Sequence, residues 1–238
     1  MNTCGGKDVD DFGGYHGATD DLLDGEFTIQ AGNTGASSGF GRGIALACGA
    51  AGADVALIGR DHARLQEVAD LIKAGGSEAF ICVADFADEA QTLAAANQAQ
   101  AALGTVDLLV NNAGMNVRQR SIQDTEIDQW RMLLDVNLTA AFVLTKALLP
   151  AMIARQSGTI INVASRAALR PHLKGGVAYS TSKIGMDALT QVTNEEANLH
   201  NVRACLLCPG EGNTPLLDRR AAPPPQEQRL RMIQPEDI

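Results

Sequence analysis

Short apolar runs alternate along the chain with longer segments of helical periodicity. The runs are apolar at successive positions, as in strands buried on both faces, and cover 54–58, 79–84, 107–111, 159–163 and 202–207. The segments between them are rich in Ala and Leu at helical spacing, and cover 40–52, 62–74, 88–103, 126–154 and 179–200. Buried strands that alternate with helices favour a parallel sheet with helices on both faces. We therefore predict one doubly wound α/β domain over residues 26–238.

The start of the pattern is less regular. We expect a first, central strand at 27–33, but it contains Gln30 and Asn33, whose polar groups would need buried partners. Residues 1–25 have no periodicity and carry six Asp against one Lys, a net charge of −5. This composition predicts a disordered or loosely attached acidic extension ahead of the domain.

The end of the pattern predicts no further strand. Residues 219–238 include three consecutive prolines at 223–225 and show no apolar alternation, and proline lacks the N–H that a sheet ladder needs. The final QPEDI, at 234–238, is typical of the first turn of a helix, with an early Pro and acidic residues.

Charge and cysteine content narrow the class of protein. The net charge of −9 argues against nucleic acid and anionic membranes as partners. No uninterrupted apolar stretch approaches the roughly 18 residues of a membrane span. Five cysteines without framework spacing indicate a reducing, cytoplasmic location. Cys205 and Cys208 have the spacing of a redox or zinc pair, but a strand there would point the thiols to opposite faces, so we predict no metal site.

Candidate chemistry lies where strands end, because ligands of such sheets bind beyond the carboxyl ends of the strands. The first strand runs into TGASSGFG at 34–41, with glycines that permit a tight turn and close approach of a pyrophosphate to a helix N-terminus. A plain turn would have similar glycines. After the second strand, Gly59 stands where an acidic residue usually holds the ribose of NAD, and Arg60 suits a 2′-phosphate or is simply solvated.

The segment AYSTSK, at 178–183, contains one of only two tyrosines of the chain. On a helix, Tyr179 and Lys183 share a face, since they are four residues apart. An amphipathic helix with a half-buried tyrosine and a solvated lysine would show the same spacing. If the pair is functional, the ammonium favours the phenolate and lowers the pKa of the phenol, which is ordinarily near 10.

Together these residues resemble the short-chain dehydrogenase/reductase family, over about residues 34–215. Its marks occur in order as TGASSGFG (34–41), NNAG (111–114), Asn137, Ser165, Tyr179 with Lys183, and Pro209-Gly210 with Thr214. The resemblance implies a Rossmann-like, three-layer α/β/α domain. The cofactor-binding residues that it and the strand ends indicate are Gly35, Ser37, Ser38, Gly39, Phe40, Gly41, Arg60, Asp85, Phe86, Asn112, Ala113, Gly114, Tyr179, Lys183, Pro209, Gly210 and Thr214.

The resemblance also implies a catalytic set of Asn137, Ser165, Tyr179 and Lys183. Tyr179 would be the general acid and base, and Ser165 would orient the substrate oxygen. Lys183 would also hold the nicotinamide ribose, and Asn137 would anchor a water that links Lys183 to solvent. A mixed set of residues would line the substrate side of the site: Arg166, Ala167, His172, Leu173 and Glu211.

The function expected from this set is oxidoreduction between a carbonyl and an alcohol, with NADP(H) preferred and NAD(H) possible. The partner would be a small-molecule carbonyl or alcohol, and the chain would form a homodimer or homotetramer through the long helices 126–154 and 179–200. In the family a final strand completes the sheet after the helix that QPEDI would begin, so the chain looks truncated. A catalytically impaired, NADP-binding protein with a regulatory role is the alternative.

Overall fold

The structure is a computed structural model, and it describes residues 29–220 and 222–238. Within these residues, six parallel strands form one sheet in the order β3-β2-β1-β4-β5-β6. The strands are β1 (Gln30–Thr34), β2 (Asp54–Gly59), β3 (Ala79–Val83), β4 (Leu108–Asn111), β5 (Gly158–Val163) and β6 (Val202–Leu207). The order reverses between β1 and β4. This confirms the predicted doubly wound sheet and places its ligand crevice at the ends of these two strands.

The helices occupy the segments between the strands. They are α1 (Gly39–Ala50), α2 (His62–Ala74), α3 (Glu89–Leu103), α4 (Ile127–Leu134), α5 (Ala140–Arg155), α6 (Arg166–Leu169), α7 (Val177–Ala197) and α8 (Gln226–Arg229). A π-helical turn, Asp135–Thr139, joins α4 to α5, so the single helix predicted over 126–154 is interrupted. Short 3₁₀ turns cover Asn198–His200, Pro215–Arg219 and Pro235–Asp237. Since the last of these begins one residue into QPEDI, that segment is helical as predicted.

The helices cover both faces of the sheet. On one face, α3 and α5 pack through small and apolar residues such as Ala96, Leu144 and Met152 onto Ile58 and Leu109. On the other face, apolar residues of α1 and α2 pack onto β2, and they include Ala45, Leu65, Val68 and Ile72. Because both faces are covered, the strands are mostly apolar on both sides, which is why most of their sequences are nearly continuous apolar runs.

The first strand was predicted too early. It begins at Gln30 rather than at residue 27, and it extends to Thr34. The backbone N–H of Gln30 donates to Asp107 (3.0 Å), and its side chain donates to Asp54 (3.3 Å). Asn33 is fully buried and donates to the carbonyl of Gly41 at 2.7 Å. The polar positions therefore have partners as required, but residues 1–28, including the predicted acidic extension, lie outside the described residues.

A buried polar ladder ties the centre of the sheet to α5 and α7. The side chain of Asn111 donates to Asn162 Oδ1 (2.9 Å) and to Thr145 (3.2 Å). Asn162 in turn donates to Thr190 of α7 at 2.8 Å. The ladder fixes the ends of β4 and β5 against the helix that carries Tyr179.

The continuous segment Ile127–Ala154 is long and apolar enough to cross a membrane by length and composition, with a mean hydropathy of 1.6. Half of it is buried inside the protein, where α5 packs against the sheet. A core helix of a doubly wound sheet meets the same criteria, so this feature is weak support for a membrane span.

Strand β6 lies at the edge of the sheet. Within residues 29–220 and 222–238 it pairs only with β5, and the residues after it form turns and the short helix α8. The C-terminal segment instead returns to the first helix, where a Cβ at Gly43 would overlap the carbonyl of Pro235. Ile238 packs near Ile44 and Val110. The additional strand that the resemblance implies is not among the described elements, and truncation of the chain stays a prediction.

Candidate active site

A cleft of about 450 Å³ opens at the carboxyl ends of the strands. Nearly every predicted site residue lines it: Gly35, Ser37, Ser38, Gly39, Phe40, Arg60, Asp85, Phe86, Asn112, Ala113, Gly114, Ser165, Tyr179, Lys183, Pro209, Gly210 and Thr214. Gly41 and Asn137 are not among the residues that line the cleft. The predicted cofactor and catalytic residues therefore meet in one place, although the strands that carry them are far apart in sequence.

The glycine turn after β1 is shaped by backbone requirements. Gly35 and Gly39 have φ values of 67° and 54°, in the left-handed region that favours glycine. A Cβ at Gly41 would overlap the carbonyl oxygen of Gly35 and the side chain of Asn112. Each of these positions thus requires glycine for a conformational or a steric reason, and a larger residue at any of them would displace the turn.

Hydrogen bonds join this turn to the loop after β4. Thr34 Oγ1 accepts from the backbone N–H groups of Asn112 and Ala113, each at 2.9 Å. The side chain of Asn112 donates back to the carbonyl of Thr34 at 3.0 Å. These bonds hold both loops at the switch point of the sheet. Sequence reasoning missed the role of Thr34, whose partners are more than 70 residues away.

The turn fits the pyrophosphate of a dinucleotide. Helix α1 begins directly after Ser38, and no side chain caps its first N–H groups. Those N–H groups and the helix dipole attract a phosphate anion, and the glycines leave the backbone open to it. A Cβ at Gly39 would lie 3.1 Å from Thr214, so the residue predicted to contact the cofactor from beyond β6 faces the same turn.

Charged side chains line the part of the cleft that lies at the end of β2. Gly59 is buried, and Arg60 is exposed with Nη1 3.8 Å from Asp85 Oδ2. Arg64 and Asp61 line the same part of the cleft. Asp61 caps α2 by accepting from the N–H of Arg64. Arg64 also pairs with Asp61, with Nε 3.3 Å from Oδ2, so an anionic group near the second strand would compete with Asp61 and Asp85 for the two guanidiniums.

Tyr179 and Ser165 meet across the cleft. Ser165 follows β5 and precedes α6, where its Oγ also accepts from the N–H of Ala167 at 3.2 Å. Burial raises the pKa of Tyr179 above its ordinary value of 10.0. The hydrogen bond with Ser165 and the guanidinium groups of Arg120 and Arg220 oppose this rise. The phenol is thus a protonated acid at neutral pH, and its hydroxyl is paired with a second hydroxyl.

The ammonium of Lys183 lies near the ring of Tyr179. Its Nζ is 5.8 Å from the centre of the Tyr179 ring and donates to the carbonyl of Val163 at 2.8 Å. The side chain is only 3% exposed. Burial lowers the pKa of Lys183 to about 8, and Cys208 opposes this slightly. The two residues share one helix face, as predicted from their spacing.

Two arginines also act on the tyrosine. The guanidinium groups of Arg120 and Arg220 lower the pKa of Tyr179, in addition to the hydrogen bond with Ser165. The ammonium of Lys183 donates to the Val163 carbonyl, and burial disfavours its charged form. The tuning of Tyr179 by Lys183 stays a prediction.

Asn137 sits in the π-helical turn between α4 and α5. Its Oδ1 accepts from the N–H of Met115 at 2.7 Å, and its Nδ2 donates to Met115 O (3.0 Å) and Ser182 Oγ (3.1 Å). The buried amide is therefore satisfied by the loop after β4 and by α7. The water that Asn137 is predicted to anchor stays a prediction, and the partner role of Ser182 was missed.

The substrate side of the cleft is more cationic than the sequence suggested. Arg166, Ala167, His172 and Glu211 line it as expected, whereas Leu173 is 72% exposed and does not. The expectation that Leu173 lines the cleft is wrong, because its side chain is exposed to solvent. Three further cations, which were not predicted, line the cleft: Arg120, Lys174 and Arg220. On loops, such residues read as solvated surface charges, so the sequence carried no signal for them.

Among residues 29–220 and 222–238, no group of three His, Cys, Asp or Glu side chains could hold a metal ion. Cys205 is exposed and Cys208 partly buried, and both are free thiols. That the two form no metal or dithiol site stays a prediction.

A doubly wound sheet whose switch point carries a glycine turn, and whose cleft pairs a tyrosine with a serine above a buried lysine, is the architecture of a nicotinamide-dependent oxidoreductase. The sequence profile of short chain dehydrogenases matches residues 31–224. The chain belongs to this family.

Individual relatives agree with the family profile. A short chain dehydrogenase of Pseudocercospora fijiensis is 36% identical over 178 residues, covering 74% of this chain and 57% of the relative. A putative ketoacyl reductase of granaticin polyketide synthase from Streptomyces violaceoruber is 36% identical over 188 residues, 78% of this chain and 68% of the relative. The chain thus spans between half and three quarters of the length of these proteins. A solved metagenomic short-chain oxidoreductase in complex with NADP has a TM-score of 0.73 at 38% identity, covering 78% of this chain and 84% of that one.

Proposed function

We propose that the protein is an NADP(H)-dependent oxidoreductase that interconverts a carbonyl and an alcohol, with Tyr179 as the general acid and base. The observation that carries the proposal is the hydrogen-bonded pair of Tyr179 and Ser165 above the buried Lys183, in the cleft that the glycine turn also lines. A site that had lost its catalytic activity would have no reason to retain Ser165, Tyr179 and Lys183 together. The family and the names of the relatives support the same reaction type.

Each side chain has a role in this reaction. The bound nicotinamide supplies or takes up the hydride. Ser165 donates a hydrogen bond to the substrate oxygen and holds it against the Tyr179 hydroxyl. Tyr179 donates its proton to that oxygen during reduction, which suits a phenol whose pKa is raised by burial. Lys183, with one N–H bonded to Val163 O, has further N–H groups for the ribose hydroxyls and for relaying the proton.

The preference for NADP(H) rests on the end of β2. Gly59 has no carboxylate to repel a 2′-phosphate or to bind the ribose hydroxyls of NAD. Arg60 and Arg64 face the same part of the cleft, and a guanidinium binds phosphate through paired hydrogen bonds. A neighbour of known structure is named as a complex with NADP, which is compatible with this preference.

The test is the Tyr179→Phe variant with Ser180→Ala as its control. Both changes remove one hydroxyl from the same turn of α7, but Ser180 Oγ makes no hydrogen bond within the described residues. We expect Tyr179→Phe to bind NADPH normally and to lose turnover by about 10³-fold, since only the proton donor is removed. Ser180→Ala should keep both. Near-normal turnover in Tyr179→Phe would refute the assigned role, and cofactor binding without turnover in the unchanged protein would favour a non-catalytic binding function.

We also propose self-association through the long helices. Three large apolar side chains on these helices are between 43% and 53% exposed: Phe142 on α5, and Ile184 and Val192 on α7. Exposed apolar surface is unusual on a helix that has no partner in solution. A second copy that packs on the same helices would cover them and give the predicted homodimer or homotetramer. Light scattering of the unchanged protein and of Phe142→Glu checks this. A cytoplasmic location stays a prediction.

A further inference from the structure

A cluster of linked charges forms the substrate side of the cleft. Arg120 donates through Nη1 to the carbonyl of Lys174. The ammonium of Lys174 and the guanidinium of Arg220 both pair with the same oxygen, Oε1 of Glu211. Two cations thus share one carboxylate and a third lies next to them, in a chain whose net charge is −9. We call Arg120, Lys174, Arg220 and Glu211 the cationic cluster.

Arg120 is held in place without a carboxylate partner. Its Nε donates to Val117 O at 3.0 Å, and its Nη1 donates to Lys174 O. The stem is packed by Gly176, where an added Cβ would lie 2.8 Å from Arg120 Cβ. Within residues 29–220 and 222–238, no acidic side chain forms an ion pair with Arg120. Two carbonyls therefore fix the guanidinium and leave its charge uncompensated.

The cluster lines the same cleft as the reacting hydroxyl. Arg120, Arg220 and Tyr179 all face this cleft, and the charges of both guanidiniums lower the pKa of Tyr179. Burial of Arg120 and its repulsion by Arg220 lower the pKa of Arg120, and Tyr179 opposes this. Placing two cations together in a partly buried cleft is unfavourable unless an anion joins them.

Glu211 compensates only part of this charge. Although burial alone would raise its pKa, hydrogen bonds and charge interactions with Lys174 and Arg220 lower it below the ordinary value. The carboxylate is thus ionised at neutral pH and occupied by two cations. Lys174 and Arg220 thus already have a carboxylate partner, whereas Arg120 contacts only the carbonyls of Val117 and Lys174.

We propose that the substrate is a carbonyl compound bearing a carboxylate a few bonds from the reacting carbon, and that Arg120 and Arg220 determine this specificity by binding the carboxylate. The proposal rests on the proposed function, because it assumes that the carbonyl oxygen lies against Tyr179 and Ser165. With that oxygen in place, groups near the carbonyl reach the cluster. A guanidinium matches the two oxygens of a carboxylate in geometry as well as in charge.

The reaction balances as a simple reduction of an oxo acid. The carbonyl carbon gains the hydride that NADPH gives up, and the carbonyl oxygen gains the proton of Tyr179. The products are a hydroxy acid and NADP⁺, and the phenolate regains its proton from solvent. The carboxylate takes no part in the bond changes and serves only to bind and orient the substrate.

Isosteric pairs of substrates provide the test. Pyruvate, acetoacetate and levulinate are compared with 3-methyl-2-butanone, 4-methyl-2-pentanone and 5-methyl-2-hexanone, in which an isopropyl group replaces the carboxylate at equal heavy-atom count. We expect kcat/KM to favour the acid by at least about tenfold in one pair, the usual gain from a hydrogen bond to a charged group. Neutral ketones that equal or exceed all three acids would overturn the proposal.

Charge-neutral variants assign the effect to the cluster. Arg120→Gln and Arg220→Gln should each reduce the acid-to-ketone ratio of kcat/KM by about tenfold, mainly through KM of the acid. Glu211→Gln should raise the ratio, because it releases Lys174 and Arg220 for the substrate. Arg131→Gln is the control, since Arg131 is exposed on α4 and outside the cleft. Equal losses for acids and ketones in the Arg120 and Arg220 variants would mean a merely structural role.

A binding measurement separates this proposal from the proposed function. Each of the three acids and its matched ketone is titrated calorimetrically into Tyr179→Phe saturated with NADPH, with and without Arg120→Gln. If the acid binds more strongly than the ketone and this binding is lost with Arg120→Gln, the result supports the anion site, even if no compound is turned over. Failure of all three acids to bind more tightly than their ketones overturns it, even if neutral ketones are reduced and the proposed function holds.

Discussion

Replacing Lys183 by methionine tests the electrostatic state of the site before any substrate is known. Lys183 is 3% exposed, and its ammonium has one described acceptor, the carbonyl of Val163. No carboxylate compensates the charge within the described chain. Methionine keeps the unbranched stem and removes the ionisable group, so Lys183→Met should change the pH dependence of stability without leaving a large cavity.

The magnitude follows from the pKa. Burial lowers the pKa of Lys183 from 10.5 to about 8. At about 1.4 kcal/mol for each unit of pKa, this difference corresponds to about 3 kcal/mol of destabilisation of the charged form in the folded state. The unfolded chain holds the proton up to a higher pH than the folded chain does. The free energy of unfolding should therefore rise with pH, by about 2 kcal/mol between about pH 7 and pH 9.5.

The assay is chemical denaturation of the cofactor-free protein across this pH range, with Lys183→Met and Lys73→Met in parallel. Lys73 is an exposed lysine in the last turn of α2 and serves as the control. We expect the protein and Lys73→Met to share the rise with pH, and Lys183→Met to lack it. The range stops short of pH 10, because a raised pKa of Tyr179 has the opposite effect above the ordinary tyrosine value.

A clear result would contradict this reasoning. If Lys183→Met shows the same pH dependence as the unchanged protein, the ammonium is not disfavoured in the fold. The lysine would then be compensated by water or a counter-ion, and the Val163 carbonyl would not be its main partner.

Three further predictions concern the cofactor. Gly59→Asp should shift preference from NADP(H) to NAD(H) by about tenfold or more, since a Cβ there meets only Leu65 at 3.5 Å and the new carboxylate repels the 2′-phosphate. Arg60→Ala should weaken the binding of NADP(H) and leave that of NAD(H) unchanged. Fluorescence titration of both cofactors checks the two variants. Equal affinities for the two cofactors in the unchanged protein would contradict the predicted preference. Gly41→Ala should lower cofactor affinity and the thermal midpoint together, because its Cβ overlaps Gly35 O; unchanged values would mean that the turn can adjust.

The sheet was largely predictable from the sequence because its strands are buried on both faces. The runs predicted at 54–58 and 202–207 differ from β2 and β6 by at most one residue. The strand that failed, β1, carries Gln30 and Asn33, whose partners Asp107 and Gly41 come later in the chain. A strand whose polar groups form hydrogen bonds with residues distant in sequence cannot be predicted from the local pattern of apolar and polar residues.

The site divides in the same way. Tyr179, Lys183 and the glycine turn were predictable because each makes its contribution within one or two turns of backbone. Arg120 and Arg220 were not, since their meeting beside Tyr179 depends on how two loops fold over the cleft. Lys183 was predicted on the same helix face as Tyr179, but its hydrogen bond to the Val163 carbonyl was not, because Val163 lies outside α7.

The opposite signs of the cationic cluster and of the whole chain have a consequence for binding kinetics. An anionic molecule in solution first meets the field of a protein with a net charge of −9 and only then the arginines within the cleft. The outer field is screened beyond about 8 Å at roughly 0.15 M salt, while contacts inside a partly buried cleft are screened much less. Added salt should thus accelerate the association of anionic ligands, the reverse of ordinary electrostatic steering. The protein would select such ligands by how long they stay rather than by how fast they arrive.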